Sequence, residues 1–250
     1  MKRVLGISGA VAMGAVLLLA SPAGAKPLDG PSGGTSSATT SATIHVPSDF
    51  VPALTDTRAT GHYEVTGTGL RVWTEGATST DKVAEYVATS TPLAKVGEPA
   101  LDFTNTTGGG VPGAQLVVDY DGDGSADGIL IGEPGVYGND WWASNGSKQF
   151  VKDGAPSHTG GFGSANHGTL DQWRAAFPNA AVQAFGFSLG SGVKGDGVIE
   201  AIAFAGAKYT FVKDVKLTSK NECKNGGWAT STLPVYRNQG DCVSSFASGK

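Results

Sequence analysis

The chain has 250 residues, 38 of them glycine, only 16% of them charged, and a formal charge of −4. An acidic balance without clustered Lys and Arg argues against nucleic acid or an anionic membrane surface as partner. The glycine content and low charge point to many tight turns, as an all-β fold needs.

Lys2-Arg3, the apolar stretch "VLGISGAVAMGAVLLLA" and Ala23-Gly24-Ala25 together read as a cleaved signal peptide over residues 1–25. A membrane anchor is the competing reading, but the stretch is short and breaks at Ser21-Pro22. The expected location is extracellular, with no membrane span after cleavage. The remaining 225 residues keep 16 cations and 22 anions, a charge of −6. They suffice for one sandwich-sized domain with small appendages.

Residues 26–43, "KPLDGPSGGTSSATTSAT", contain one Leu and no aromatic, and read as a flexible linker. A sandwich domain is expected over 44–213. In "HYEVTGTGLRVWTEG" the alternation predicts a strand pair, with Leu70 and Val72 on one face and Arg71 and Trp73 on the other. "DKVAEYVA" (81–88) suits either a helical turn or a strand edge. "AQLVVDY" (114–120) and "GILIGE" (128–133) predict a hairpin, and 180–189 with 197–211 supply three or more further strands. One helix interrupts them over about 169–177, where Thr169 and Gln172 form a capping box and Pro178 stops the run.

Gly186-Phe187-Ser188-Leu189-Gly190 matches the G-x-S-x-G elbow of α/β-hydrolases, which needs a helix after the serine and a histidine later in the chain. Here Gly190, Gly192, Gly195 and Gly197 follow, a poor start for a helix. His45, His62, His158 and His167 all precede Ser188. Without a downstream base the serine stays a weak nucleophile, so no catalytic residue is assigned.

"DYDGDGSAD" sets Asp119, Asp121, Asp123 and Asp127 at the oxygen-rich spacing of a Ca²⁺ loop, with Gly124 at the sharp turn. Leu130 stands where an EF-hand has its bidentate Glu, so a structural Ca²⁺ on a hairpin, with a dissociation constant of roughly 10⁻⁴ to 10⁻³ M, fits better. An exposed Asp/Gly turn would use the same residues.

In "NDWWASNG" the neighbours Trp141 and Trp142 point to opposite faces of an extended segment. An exposed indole offers a plate for a sugar ring, and Asn139, Asp140 and Asn145 offer groups for hydroxyls; both tryptophans packing inside is the plainer alternative. Glu75, Glu85, Glu98, Glu133 and Glu200 are candidate glycosidase acids, but no E-x-D-x-x-E pattern occurs, and solvated surface acids are the simpler reading. Cys223 and Cys242, an even count in an exported chain, imply one disulfide worth about 3 kcal/mol to a tail over 214–250, with Trp228 and Tyr236 as its miniature core.

Through "GLRVWTEGATSTDKVAEY", "LVVDYDGDGSADGILIGEP", "DWW", "GTLDQWRAAFPNAAVQAFGFSLGSG" and "YTF", residues 60–211 resemble the concanavalin A-like jelly roll of lectins and laminin-G domains. "CKNGGW" with "NQGDCV" is similar to a short C-terminal segment of actinobacterial secreted proteins. The resemblance implies a two-sheet jelly-roll sandwich and transfers no residue role. The expected protein is therefore a secreted, noncatalytic binder of glycan or cell-wall polymer. The alternatives are a polysaccharide-active hydrolase and an adhesive protein that binds another protein.

Overall fold

The computed structural model describes residues 40–159 and 164–247. The signal-peptide and most of the linker expectation lie outside these residues. Thr40–Thr43, expected in the linker, already pair with Ala207–Thr210, so the sandwich begins at Thr40.

In chain order the strands are β1 (Thr40–Val46), β2 (Gly61–Val65), β3 (Leu70–Thr74), β4 (Lys82–Pro92), β5 (Ala100–Gly109) and β6 (Gly113–Asp119). They continue as β7 (Gly128–Gly132), β8 (Asp140–Ala143), β9 (His167–Thr169), β10 (Ala181–Gly190), β11 (Gly195–Phe204) and β12 (Ala207–Lys213). Two six-stranded sheets result. The first runs β1-β12-β11-β3-β2, with β5 on the other edge of β11; the second runs β4-β10-β6-β7-β8-β9. This is the all-β sandwich expected. All ladders are antiparallel except β1 with β12, which joins the two ends of the domain in parallel.

The inner faces follow from alternation. Leu70 and Val72 of β3 are buried while Arg71 and Trp73 are half-exposed, as the sequence predicts. Phe185, Phe187 and Leu189 of β10 meet Leu116 and Val118 of β6 and Ile199 of β11 in one core. Across the sheets Phe185 of β10 stacks on Phe204 of β11, centroids 4.3 Å apart and planes within 7°. The ambiguous segment 81–88 is strand: Val83 faces the core while Ala84 and Tyr86 join a second apolar cluster on the opposite face.

The predicted helix is α3 (Leu170–Ala176), with the capping box between Thr169 and Gln172 present. It follows the short helices α1 (Pro134–Tyr137) and α2 (Gln149–Gly154) and precedes α4 (Gln239–Ala247) in the tail. Leu170 and Trp173 turn inward, and Trp173 donates its indole N–H to the Trp141 carbonyl at 2.9 Å. Beyond Asp214, the Cys223–Cys242 disulfide forms with Cα atoms 5.8 Å apart. It is packed with Leu217 and Tyr236, and Trp228 lies against this cluster. Among the described residues no helix is long and apolar enough to cross a membrane.

Ser188 lies inside β10, and the next element after it is a strand. The strand runs to Gly190, whose φ of 116° and would-be Cβ, 2.3 Å from the Asp81 carbonyl oxygen, require glycine. The chain then turns directly into β11. Asp81 anchors this end through the Thr60 hydroxyl (2.6 Å) and the Thr78 hydroxyl and amide. These donors hold its carboxyl down to about 2. An Asp whose folded pKa lies below its unfolded value of about 3.9 stabilises above that value and stops doing so as pH falls through the folded one. The stability gap between wild type and Asp81→Asn, read from urea midpoints, should therefore be widest above about pH 4 and close towards pH 2; a gap independent of pH would remove this role.

Candidate functional site

On the side of the second sheet turned away from the main core one row of positions is in register, of which Tyr86, Gln115, Ile131 and His167 are buried. Cross-strand register aligns Tyr86 (β4), Gly186 (β10), Gln115 (β6), Ile131 (β7), Trp142 (β8) and His167 (β9). Gly186 leaves the row open at β10, so the Tyr86 hydroxyl reaches across and donates to Gln115 Oε1. Its absent side chain also lets β10 approach β4, since a Cβ there would lie 2.0 Å from the Glu85 carbonyl oxygen.

Trp142 and Trp141 divide as alternation requires. Trp141 is 6% exposed and belongs to the core. It also forms part of the wall of a cavity of about 350 Å³ between the sheets, lined in addition by Leu101, Phe103, Pro112 and Asn139. Trp142 is half-buried on the outer face, with its indole N–H donated to Glu133 Oε2 at 2.9 Å and the Tyr137 ring 5.9 Å away. Burial pushes the Glu133 carboxyl up, and the Trp142 hydrogen bond only partly offsets it. Glu133 crosses the face at Gly113, where a Cβ would come within 2.9 Å of its Cγ, and Gly113 is opposite Ser188.

Of the other predicted hydroxyl binders, Asp140 is on this face, two positions before Trp142 in β8. Asn139 and Asn145 are exposed but lie beyond opposite ends of β8. At about 3.3 Å per strand residue they are on the order of 15 Å or more apart. They do not share a site.

Asp140 is the centre of a cluster that sequence reasoning missed. Its Oδ2 lies 2.8 Å from His158 Nδ1 and 2.9 Å from His167 Nδ1. His167 is diagonal to Asp140 across the β8–β9 ladder. The His158 amide donates to the His167 carbonyl at 3.0 Å, which brings the second imidazole alongside. Gly168 allows the loop to close down, because a Cβ there would lie 2.4 Å from the Pro156 ring. The burial of Asp140 pushes its carboxyl up, but the two imidazoles outweigh this and hold it below the ordinary range. The clue in the sequence, a carboxylate followed 18 and 27 residues later by histidines, is too loose to select.

The acidic turn between β6 and β7 brings Asp119, Asp121 and Asp127 together, with ligand oxygens within 4.8 Å, and leaves Asp123 outside that group. Asp119 accepts the Gly122 and Gly124 amides, and Asp127 Oδ2 accepts the Tyr120 amide. Asp121 and Asp123 each accept the amide two residues on. The fully buried Asp127 carboxylate has the Lys148 ammonium 2.5 Å from Oδ1. Burial pushes Asp127 up, and Lys148 with the turn amides brings it below its ordinary value.

The remaining candidate acids are scattered. Glu85 is buried under the Thr55 and Thr57 hydroxyls, at 2.7 and 2.6 Å, and Glu98 pairs with Arg174. Glu75 lies beside His62, and Glu200 accepts from Thr104. None of these four is in the outer-face row.

Compared with protein-family models, curated proteins and solved structures, the chain matches none.

Proposed function

We propose that the protein is exported and binds glycan or cell-surface polymer, without catalysis, on the outer face of its second sheet. The observation that carries this reading is Trp142 itself, half-buried on that face with its indole N–H bonded to Glu133 and with Asp140 two positions before it in β8. A flat indole against the C–H face of a sugar, with hydrogen-bonding groups at its edge, suits a polysaccharide. The Cys223–Cys242 disulfide supports an oxidising compartment, and the apolar N-terminus with Ala23-Gly24-Ala25 supports export. A sandwich of two sheets is also what the concanavalin A-like resemblance implies.

Trp73 provides the control. It lies on the first sheet with Arg71 4.3 Å above its ring and His62 stacked at 5.0 Å. In pull-downs on insoluble cell-wall polysaccharide and on glycan arrays, Trp142→Ala should weaken binding at least tenfold, whereas Trp73→Ala leaves it unchanged. No binding by the full chain, or equal loss in both variants, would count against the outer face.

A second reading, a polysaccharide-active hydrolase, draws on the opposite pKa shifts of Glu133 and Asp140. A raised carboxyl suits a general acid and a lowered one a base. Reducing ends released from polymer by wild type and abolished in Glu133→Gln would establish it in place of simple binding.

For the acidic turn we infer that Lys148 supplies the counter-charge that the sequence suggests for Ca²⁺. Lys148→Met then leaves Asp127 buried and uncompensated, at a cost of about 1–3 kcal/mol, and added Ca²⁺ recovers part of the loss. Wild type should then melt alike in Ca²⁺ and in chelator. A wild-type melting temperature raised by Ca²⁺, and lost in Asp121→Ala with Asp123→Ala, would instead place calcium in the turn.

A further inference from the structure

We propose that Asp140, His158 and His167 form a site for one divalent transition-metal ion of the zinc type, independent of any glycan bound by the same face. The three offer ligand atoms that all lie within 4.8 Å of one another. Two imidazole nitrogens and one carboxylate oxygen suit Zn²⁺ and its neighbours, whereas Ca²⁺ and Mg²⁺ prefer oxygen alone.

Three features go beyond proximity. Both imidazoles aim Nδ1 at the same carboxylate oxygen, although the group has two to offer. Both nitrogens bond to one oxygen, which holds the three ligand atoms in a single compact group. The ligands come from elements already fixed by backbone pairing: β8, β9, and the loop strand tied by the His158 amide to His167. Finally, the His167 side chain is only 3% exposed, so its imidazole is already desolvated and fixed in place.

The geometry needs little adjustment. Contacts of 2.8 and 2.9 Å are hydrogen-bond distances. A tetrahedral ion at about 2.0–2.2 Å from each ligand needs them roughly 3.4 Å apart, an opening of about 0.5 Å. His158, at 37% exposed, forms the solvent side of the cluster. An ion at Nδ1 needs each neutral imidazole to carry its proton on Nε2, and protonation of either ring competes with the ion, so affinity falls as the medium is acidified.

The test uses the full chain, prepared without a polyhistidine tag and stripped with chelator. Titration calorimetry with Zn²⁺ at neutral pH should show one ion per chain, and Co²⁺ should give the visible absorption of a four-coordinate site. His158→Ala, a change at a half-exposed side chain, should weaken Zn²⁺ at least tenfold; Asp140→Asn, which keeps the side-chain shape, should do the same. Asp121→Ala with Asp123→Ala should leave Zn²⁺ binding as in wild type. Absence of stoichiometric binding, or affinity unchanged in both His158→Ala and Asp140→Asn, would overturn the site and leave the cluster a hydrogen-bond network only.

Discussion

The contact between Phe185 and Phe204 fixes the phase of the second sheet. A strand offers the interior only every second side chain, and a slip of one residue exchanges its faces. With Phe185 stacked against the opposite sheet, Phe187 and Leu189 must also point inward, so Gly186 and Ser188 point out. β10 is the second strand of its sheet, flanked by β4 and β6, and its phase passes through the ladders to every neighbour. Gln115, Ile131, Trp142 and His167 stand on the outer face because Leu116, Leu130, Trp141 and Ala143 take the inner one. The candidate site is thus a consequence of core packing on the other side of the same strands.

That coupling explains how the far edge of the sheet is held in place despite its short strands. β8 has four residues and β9 three, too few to stand alone. The Trp141 indole packs over Gly132, where a Cβ would come within 2.9 Å of the ring, and its carbonyl accepts the Trp173 indole N–H. Helix α3, its capping box and the stacking of Trp173 with Phe177 therefore act as a clamp on β8 from the core side. Asp140 and Trp142 inherit their positions from that clamp.

Features carried by local chemistry were legible in the sequence. The alternation of Leu70 to Trp73, the β6–β7 hairpin, the capping box of α3 and the opposed tryptophans all depend on neighbours in the chain, and all appear; the disulfide appears too, because two cysteines leave one pairing. What depended on distant pairing did not. β1 looked like linker because Thr40–Thr43 have no apolar pattern of their own; they are ordered by lying parallel to β12, more than 160 residues away. β5, with its polar "TNTT", reads poorly as a strand, yet it pairs along nearly the whole of β11. The Asp140 cluster failed to show for the same reason, since a ladder register and a loop bond bring its members together. Ser188 is the converse case: a local motif matched, but the strand around it continues, and a motif without its turn carries no chemistry.

Two groups of carboxylates in this molecule resolve the same electrostatic problem in different ways. At the β6–β7 turn, four aspartates in nine residues would repel one another, yet each accepts backbone amides and the most buried has a lysine at hand. The charge is met from within the chain, and the turn is closed by its own bonds. At Asp140 no lysine or arginine is paired with the carboxylate; the partners are two imidazoles, which carry a compensating charge only when protonated. Asp127, by contrast, has a lysine ammonium against it. On the proposal made above, a divalent ion would be the counter-charge at Asp140, as Lys148 is at Asp127. The contrast between the two clusters lies in the partner, a fixed cation in one and titratable ligands in the other.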